Sequence, residues 1–199
     1  YEGKELEKTI PKILGEERRY VCMSRCMKLI SRRLVQDNCK YSDPRIRTGE
    51  DTTIMLPALI DCRRLVIMDH KAYYHYLYVR ESMIHKYDQR LFENIELLKG
   101  IIDQIIDDKF SGIRRREMRE RAQKEYLHLL LLVLKNEARG NPKGYRRNIL
   151  EICRTEAVRK TVKSVTIHVE EKSNRLLYLV LRHPNHVTVS LLRMAMIVY

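Results

Sequence analysis

The chain contains no tryptophan, no internal repeat and no run of about eighteen uninterrupted apolar residues. The last absence argues against a transmembrane helix and, with a first segment (Tyr1 to Lys8) that alternates charge and polarity unlike a signal peptide, predicts a cytosolic protein. Paired C-x-x-C spacing is also missing. Five cysteines (Cys22, Cys26, Cys39, Cys62, Cys153) form an odd set, which speaks against a disulfide framework or a zinc module and for reduced, mostly buried thiols. Seven scattered histidines offer no finger spacing either.

What is present is charge and helical pattern. With 199 residues, 44% of them hydrophobic and 33% charged, the chain can bury a real core, and its net charge of +13 implies an anionic partner. The opening Tyr1-Glu2-Gly3-Lys4, without a methionine, reads as the middle of a pattern and suggests a piece of a longer polypeptide. A short helix is expected over 4–14, stopped near Gly15. Met23, Met27, Ile30 and Leu34 recur at helical spacing and predict an amphipathic helix over 23–35. Residues 38–48 carry loop chemistry. Behind Asp51, Thr52 and Thr53 lead into an apolar helix that Pro57 should bend or shorten.

Arg64 to Met68 and Ala72 to Val79 read as two strands of a hairpin around Asp69-His70-Lys71. From Asp88 the helical period takes over. Leu91, Ile95, Leu98, Ile102 and Ile105 mark one helix, a longer one runs from about 114 to 138 and is closed by Gly140-Asn141-Pro142, and two or three shorter helices follow, with a break at Pro184.

The informative block runs from Cys26 to Leu98. It reads Cys-Met-Lys-Leu-Ile-Ser-Arg-Arg-Leu, a polar loop, Arg-Thr-Gly-Glu-Asp, an apolar helix, a β-rich run, Tyr-Tyr-His-Tyr and Arg-Glu-Ser-Met. Each piece alone is weak, but the ordered set resembles the C-terminal half of the catalytic domain of family 2 glycosyltransferases that build bacterial surface polysaccharides. About a third of the chain carries the resemblance; beyond residue 110 only the general character agrees.

The resemblance implies a mixed, mostly helical α/β fold: an incomplete GT-A-like acceptor-side segment with a small sheet or hairpin over residues 1–86, and a helical subdomain over 87–199. It implies inverting transfer from a nucleotide sugar to an acceptor hydroxyl on a saccharide or lipid-linked acceptor. Asp51 would be the general base, Glu50 its orienting neighbour and Gly49 the residue that lets the backbone pass close to the sugar. Arg80 and Ser82 fall where the family binds the donor diphosphate, and Tyr74 and His75 are candidate sugar contacts.

Family 2 enzymes also use a divalent metal, Mg or Mn, held by an Asp-x-Asp motif. This chain contains no Asp-x-Asp, and it lacks the Gln-x-x-Arg-Trp motif of processive synthases. A single-addition enzyme whose donor-binding half is missing follows, inactive as this piece alone and with no metal ligands of its own. The competing expectation is a basic helical module for nucleic acid or an anionic membrane surface, built on Arg114-Arg115-Arg116, Arg119 and Arg121 or on the apolar tail from Leu176 to Tyr199. Nucleic acid is disfavoured because Glu117, Glu120 and Glu125 interrupt the basic run, whereas peripheral contact at the inner face of the cell membrane is compatible with the enzyme reading.

Overall fold

The computed structural model describes residues 1–68, 74, 75, 77 and 86–198. Nine α-helices form among them: α1 (Gly3–Thr9), α2 (Arg32–Asn38), α3 (Glu50–Asp61), α4 (Leu91–Lys109), α5 (Gly112–Gly140), α6 (Tyr145–Arg154), α7 (Glu156–Ser164), α8 (Lys172–Arg182) and α9 (His186–Val198). The fold is therefore α-rich, and α5 is its axis. Tyr126, Leu127, Leu130, Leu131, Val133 and Leu134 are all buried, so the middle of α5 has neighbours on nearly every side. Its contacts run to α4 along one flank and to α6, α7, α8 and α9 along the others. Leu91, Ile95, Leu98, Ile102 and Ile105 form the buried stripe of α4, at the spacing its sequence predicts.

One continuous core collects side chains from Ile10 through Met196, on both sides of residue 86. At the N-terminal end, α1 passes into a 3₁₀ turn (Ile10–Ile13) with Pro11 in its first positions, where a missing N–H costs least. Gly15 then takes a left-handed φ of 75° directly against α5, where a Cβ would lie 2.7 Å from the Arg121 carbonyl oxygen. The start of α4 is tied to the end of α5. Asn136 exchanges two hydrogen bonds with the Asp88 backbone (3.0 and 2.8 Å), and the Tyr87 hydroxyl donates to the buried Glu137 carboxylate at 3.0 Å.

Three expectations need correction. The small sheet does not form among the described residues. Arg64 makes a single antiparallel bridge to Glu2, and Leu65 exchanges hydrogen bonds with Tyr1. Val66 to Met68 continue as exposed chain outside any ladder. A β-prone run becomes a strand only when a neighbouring strand supplies the other half of the ladder, and Tyr1-Glu2 is too short for that. Much of the second expected strand, 72–79, lies outside the described residues.

The helix expected over 23–35 is the second correction: only Arg32–Asn38 is helical. Before it, side chains compete for the backbone. Ser24 Oγ accepts the Cys26 N–H at 3.1 Å, Lys28 Nζ donates to the Ser24 carbonyl at 2.6 Å, and Met27 adopts φ 61°. Third, the thiols are less buried than expected, with Cys22, Cys26 and Cys39 exposed, Cys62 half-buried and Cys153 buried. Elsewhere the reading and the structure agree on α4, α5 and the stop at Asn141, while four short helices follow where two or three are expected. Helix α3 continues through Pro57 to Asp61.

Candidate active site

The Gly49-Glu50-Asp51 turn opens α3. Gly49 occupies the N-cap position with φ 81°, a left-handed conformation that side-chain-bearing residues adopt only with strain. Glu50 and Asp51 are then the first two helical residues, so Asp51 is not the cap; it stands in the first turn with its carboxylate directed outward. Thr53 Oγ1 donates to the Glu50 carbonyl at 2.8 Å and closes the turn from below.

Helix α4 holds this turn in place. Asn94, nearly fully buried, accepts the Arg47 N–H at 2.6 Å and the Thr48 N–H at 3.4 Å through Oδ1, and its Nδ2 donates to the Thr48 carbonyl at 2.8 Å. One turn further along α4, Leu98 packs against Gly49 so closely that a Cβ there would sit 2.6 Å from Leu98 Cδ2. Sequence reasoning missed Asn94. Its signal is a polar residue on the apolar stripe of α4, between Leu91 and Leu98, where an unsatisfied amide would be costly.

Replacing Asn94 with Ala should lower stability by about 1 kcal/mol, because the Thr48 carbonyl and the Arg47 N–H, both in part-buried hydrogen bonds, lose their partner together. Hydrogen exchange at the Arg47 and Thr48 amides should rise well beyond the global change. Unchanged protection at both amides would mean that the turn stands without Asn94.

The loop from Cys22 to Lys28 folds over the other side of the turn. The Arg25 N–H donates to Asp51 Oδ2 at 3.1 Å, the Arg25 side chain donates through Nε to Asp51 Oδ1, and its guanidinium lies 4.0 Å from the Glu50 carboxylate. Sequence reasoning did not single out Arg25 either, since nothing in its local pattern marks it. Asp51 keeps 26% of its side-chain surface exposed and Glu50 46%, so both carboxylates face solvent on one side. Each Asp51 oxygen accepts one hydrogen bond from Arg25 and retains a lone pair that can accept another. The arrangement can fix a carboxylate in orientation and still present it to an incoming hydroxyl.

Of the other expected site residues, Tyr74 and His75 lie in irregular, exposed chain. Arg80 and Ser82 lie outside the described residues. Lys28 is tethered to Ser24, and Arg33 pairs with Asp37 along α2 in an exposed i,i+4 contact. No group of three or more His, Cys, Asp or Glu side chains gathers in metal-binding geometry among the described residues. Comparison with protein-family models, with curated proteins and with solved structures returns no match for this chain.

Proposed function

We propose that this chain is the acceptor-side part of an inverting glycosyltransferase that moves a sugar from a nucleotide-sugar donor to an acceptor hydroxyl, in the manner of enzymes that build bacterial surface polysaccharides. The observation that carries the reading is the convergence on one point of two motif segments distant in sequence. The loop leading into Lys28-Leu29-Ile30 closes on the Gly49-Glu50-Asp51 turn through Arg25 and Asp51.

In this reading Asp51 accepts the proton of the acceptor hydroxyl as its oxygen attacks the anomeric carbon. The new C–O bond forms on one face while the bond to the nucleoside diphosphate breaks on the other, and the leaving group carries away the electron pair. Glu50 orients the acceptor. Arg25 holds the Asp51 carboxylate in place, and Asn94 and Leu98 hold the turn. Donor binding and a divalent cation belong to a part of the enzyme with its own Asp-x-Asp ligands, which this sequence does not contain. The basic-module alternative finds less support. Arg119 pairs with Asp107, with Arg115 at 3.9 Å from the same residue, and Arg121 pairs with Glu16, which partly neutralises the face that nucleic acid would need.

The test is transfer and donor hydrolysis by a polypeptide that carries this chain together with a donor-binding half. Asp51→Asn should lower kcat by roughly 10²- to 10⁴-fold, the contribution of a positioned general base. Retention of full activity by that variant would remove Asp51 from the role.

A further inference from the structure

A cleft lies away from Asp51, at the opposite end of α3. About 570 Å³ opens between α1, the end of α3, and the junction of α4 with α5. That volume falls in the range of small-ligand pockets. Its lining divides into an apolar wall, with Leu6, Ile60 and Phe110, and a cationic rim of Arg63, Lys109 and Arg114.

The three cations are not equally committed. Lys109 pairs with Asp61 at 2.5 Å, and Asn38 donates to the same carboxylate oxygen at 2.9 Å, so Asp61 is engaged from two sides. The Arg114 guanidinium makes one long hydrogen bond, 3.3 Å, to the Glu7 carbonyl and stands 5.9 Å from the Phe110 ring. Among the described residues Arg63 has no ion-pair or side-chain hydrogen-bond partner. Glu7 is the one other carboxylate in the lining among the described residues, so three cations there face two carboxylates. Two guanidiniums with open donor forks beside an apolar wall suit a multiply charged oxyanion attached to a hydrophobic group. Ser111 adds a hydroxyl that makes no capping bond.

We propose that this cleft binds an organic phosphate, a phosphate ester whose charged head sits between Arg63 and Arg114 and whose apolar body lies on Phe110 and Ile60. This site is independent of the Asp51 reading. Neither its success nor its failure bears on glycosyl transfer.

Phenyl phosphate is the probe, titrated calorimetrically into the full chain at low ionic strength, with inorganic phosphate in parallel. Saturable binding of phenyl phosphate is expected, tighter than that of inorganic phosphate. The double variant Arg63→Gln/Arg114→Gln should weaken it about tenfold or more, as loss of charge-assisted hydrogen bonds predicts. The charge-matched control Arg146→Gln/Arg147→Gln, at two exposed positions of α6, should leave it unchanged.

A second readout uses the unaltered chain. Cys62 lines the cleft, and burial pushes its thiol above the usual range, so maleimide should label it slowly, and more slowly still with phenyl phosphate bound. Labelling of exposed Cys39 should not change. Equal weakening in both double variants, absence of saturation, or a Cys62 labelling rate indifferent to phenyl phosphate would each overturn the proposal.

Discussion

Arg19→Ala should lower the stability of this chain by about 3 kcal/mol, read as a clear fall of the urea midpoint at pH 7. The reason is the environment of Glu125. Its side chain is 2% exposed, on the part of α5 that faces the N-terminal turn. It accepts the Gly15 N–H at 3.0 Å and forms an ion pair with Arg19. Removing Arg19 leaves a buried carboxylate without a cation, which is the costly direction in which to break such a pair.

The cost is at the low end for a buried pair because Arg19 itself is about one third exposed, and water can partly replace it. Burial, the dominant influence, holds the nearby His128 imidazole below its ordinary value and so opposes its charging in place of Arg19. The double variant Arg19→Ala/Glu125→Gln should recover roughly half of the loss, since the amide oxygen still accepts from Gly15 while the buried charge is gone. A single variant that costs less than about 1 kcal/mol would mean that Glu125 is not solvated by Arg19.

The same pair illustrates what the sequence could and could not disclose. The helices from α4 onward were legible because their burial is periodic: Leu91, Ile95, Leu98, Ile102 and Ile105 form one stripe, and Gly140-Asn141-Pro142 ends α5 where the pattern ends. Met23, Met27, Ile30 and Leu34 have the same spacing without the same outcome. Periodicity alone does not make a helix when Ser24 and Asp51 offer nearby backbone groups better local partners. Arg64 to Met68 failed for a different reason. Strand propensity describes how a residue fits a ladder, and the ladder itself is a property of a neighbour. Val165, Ile167 and Val169, alternately buried in extended chain ahead of α8, carry the period of a strand without one among the described residues.

For the candidate site, the turn at Gly49-Glu50-Asp51 was legible because a glycine before two acids and two threonines is a plausible helix start on chemical grounds alone. Its supports were not. Arg25, Asn94 and Leu98 reach the turn from 26 to 49 residues away in sequence, counting from Arg25 to Asp51 and from Gly49 to Leu98, and the two on α4 are placed there by how α4 packs against α3. A buried polar residue on an apolar stripe was the one available clue, and it pointed to a need for partners without saying which.

Leu98→Ala tests that packing directly and should cost about 3–4 kcal/mol, within the range for deleting a fully buried leucine. Leu98 is 1% exposed, and its Cδ2 is the atom that Gly49 approaches. The informative experiment is the cycle with Gly49→Ala. In the parent chain that substitution has two costs: a Cβ in the left-handed region, about 1 kcal/mol, and a collision with Leu98, of similar size. Shortening Leu98 removes the collision and leaves only the backbone term. Gly49→Ala should therefore cost about 2 kcal/mol in the parent and about 1 kcal/mol in the Leu98→Ala background, a coupling of roughly 1 kcal/mol measured by urea denaturation of all four chains. Additive losses would place the whole cost of Gly49→Ala in the backbone and leave Leu98 as ordinary core, with no part in seating the turn that carries Asp51.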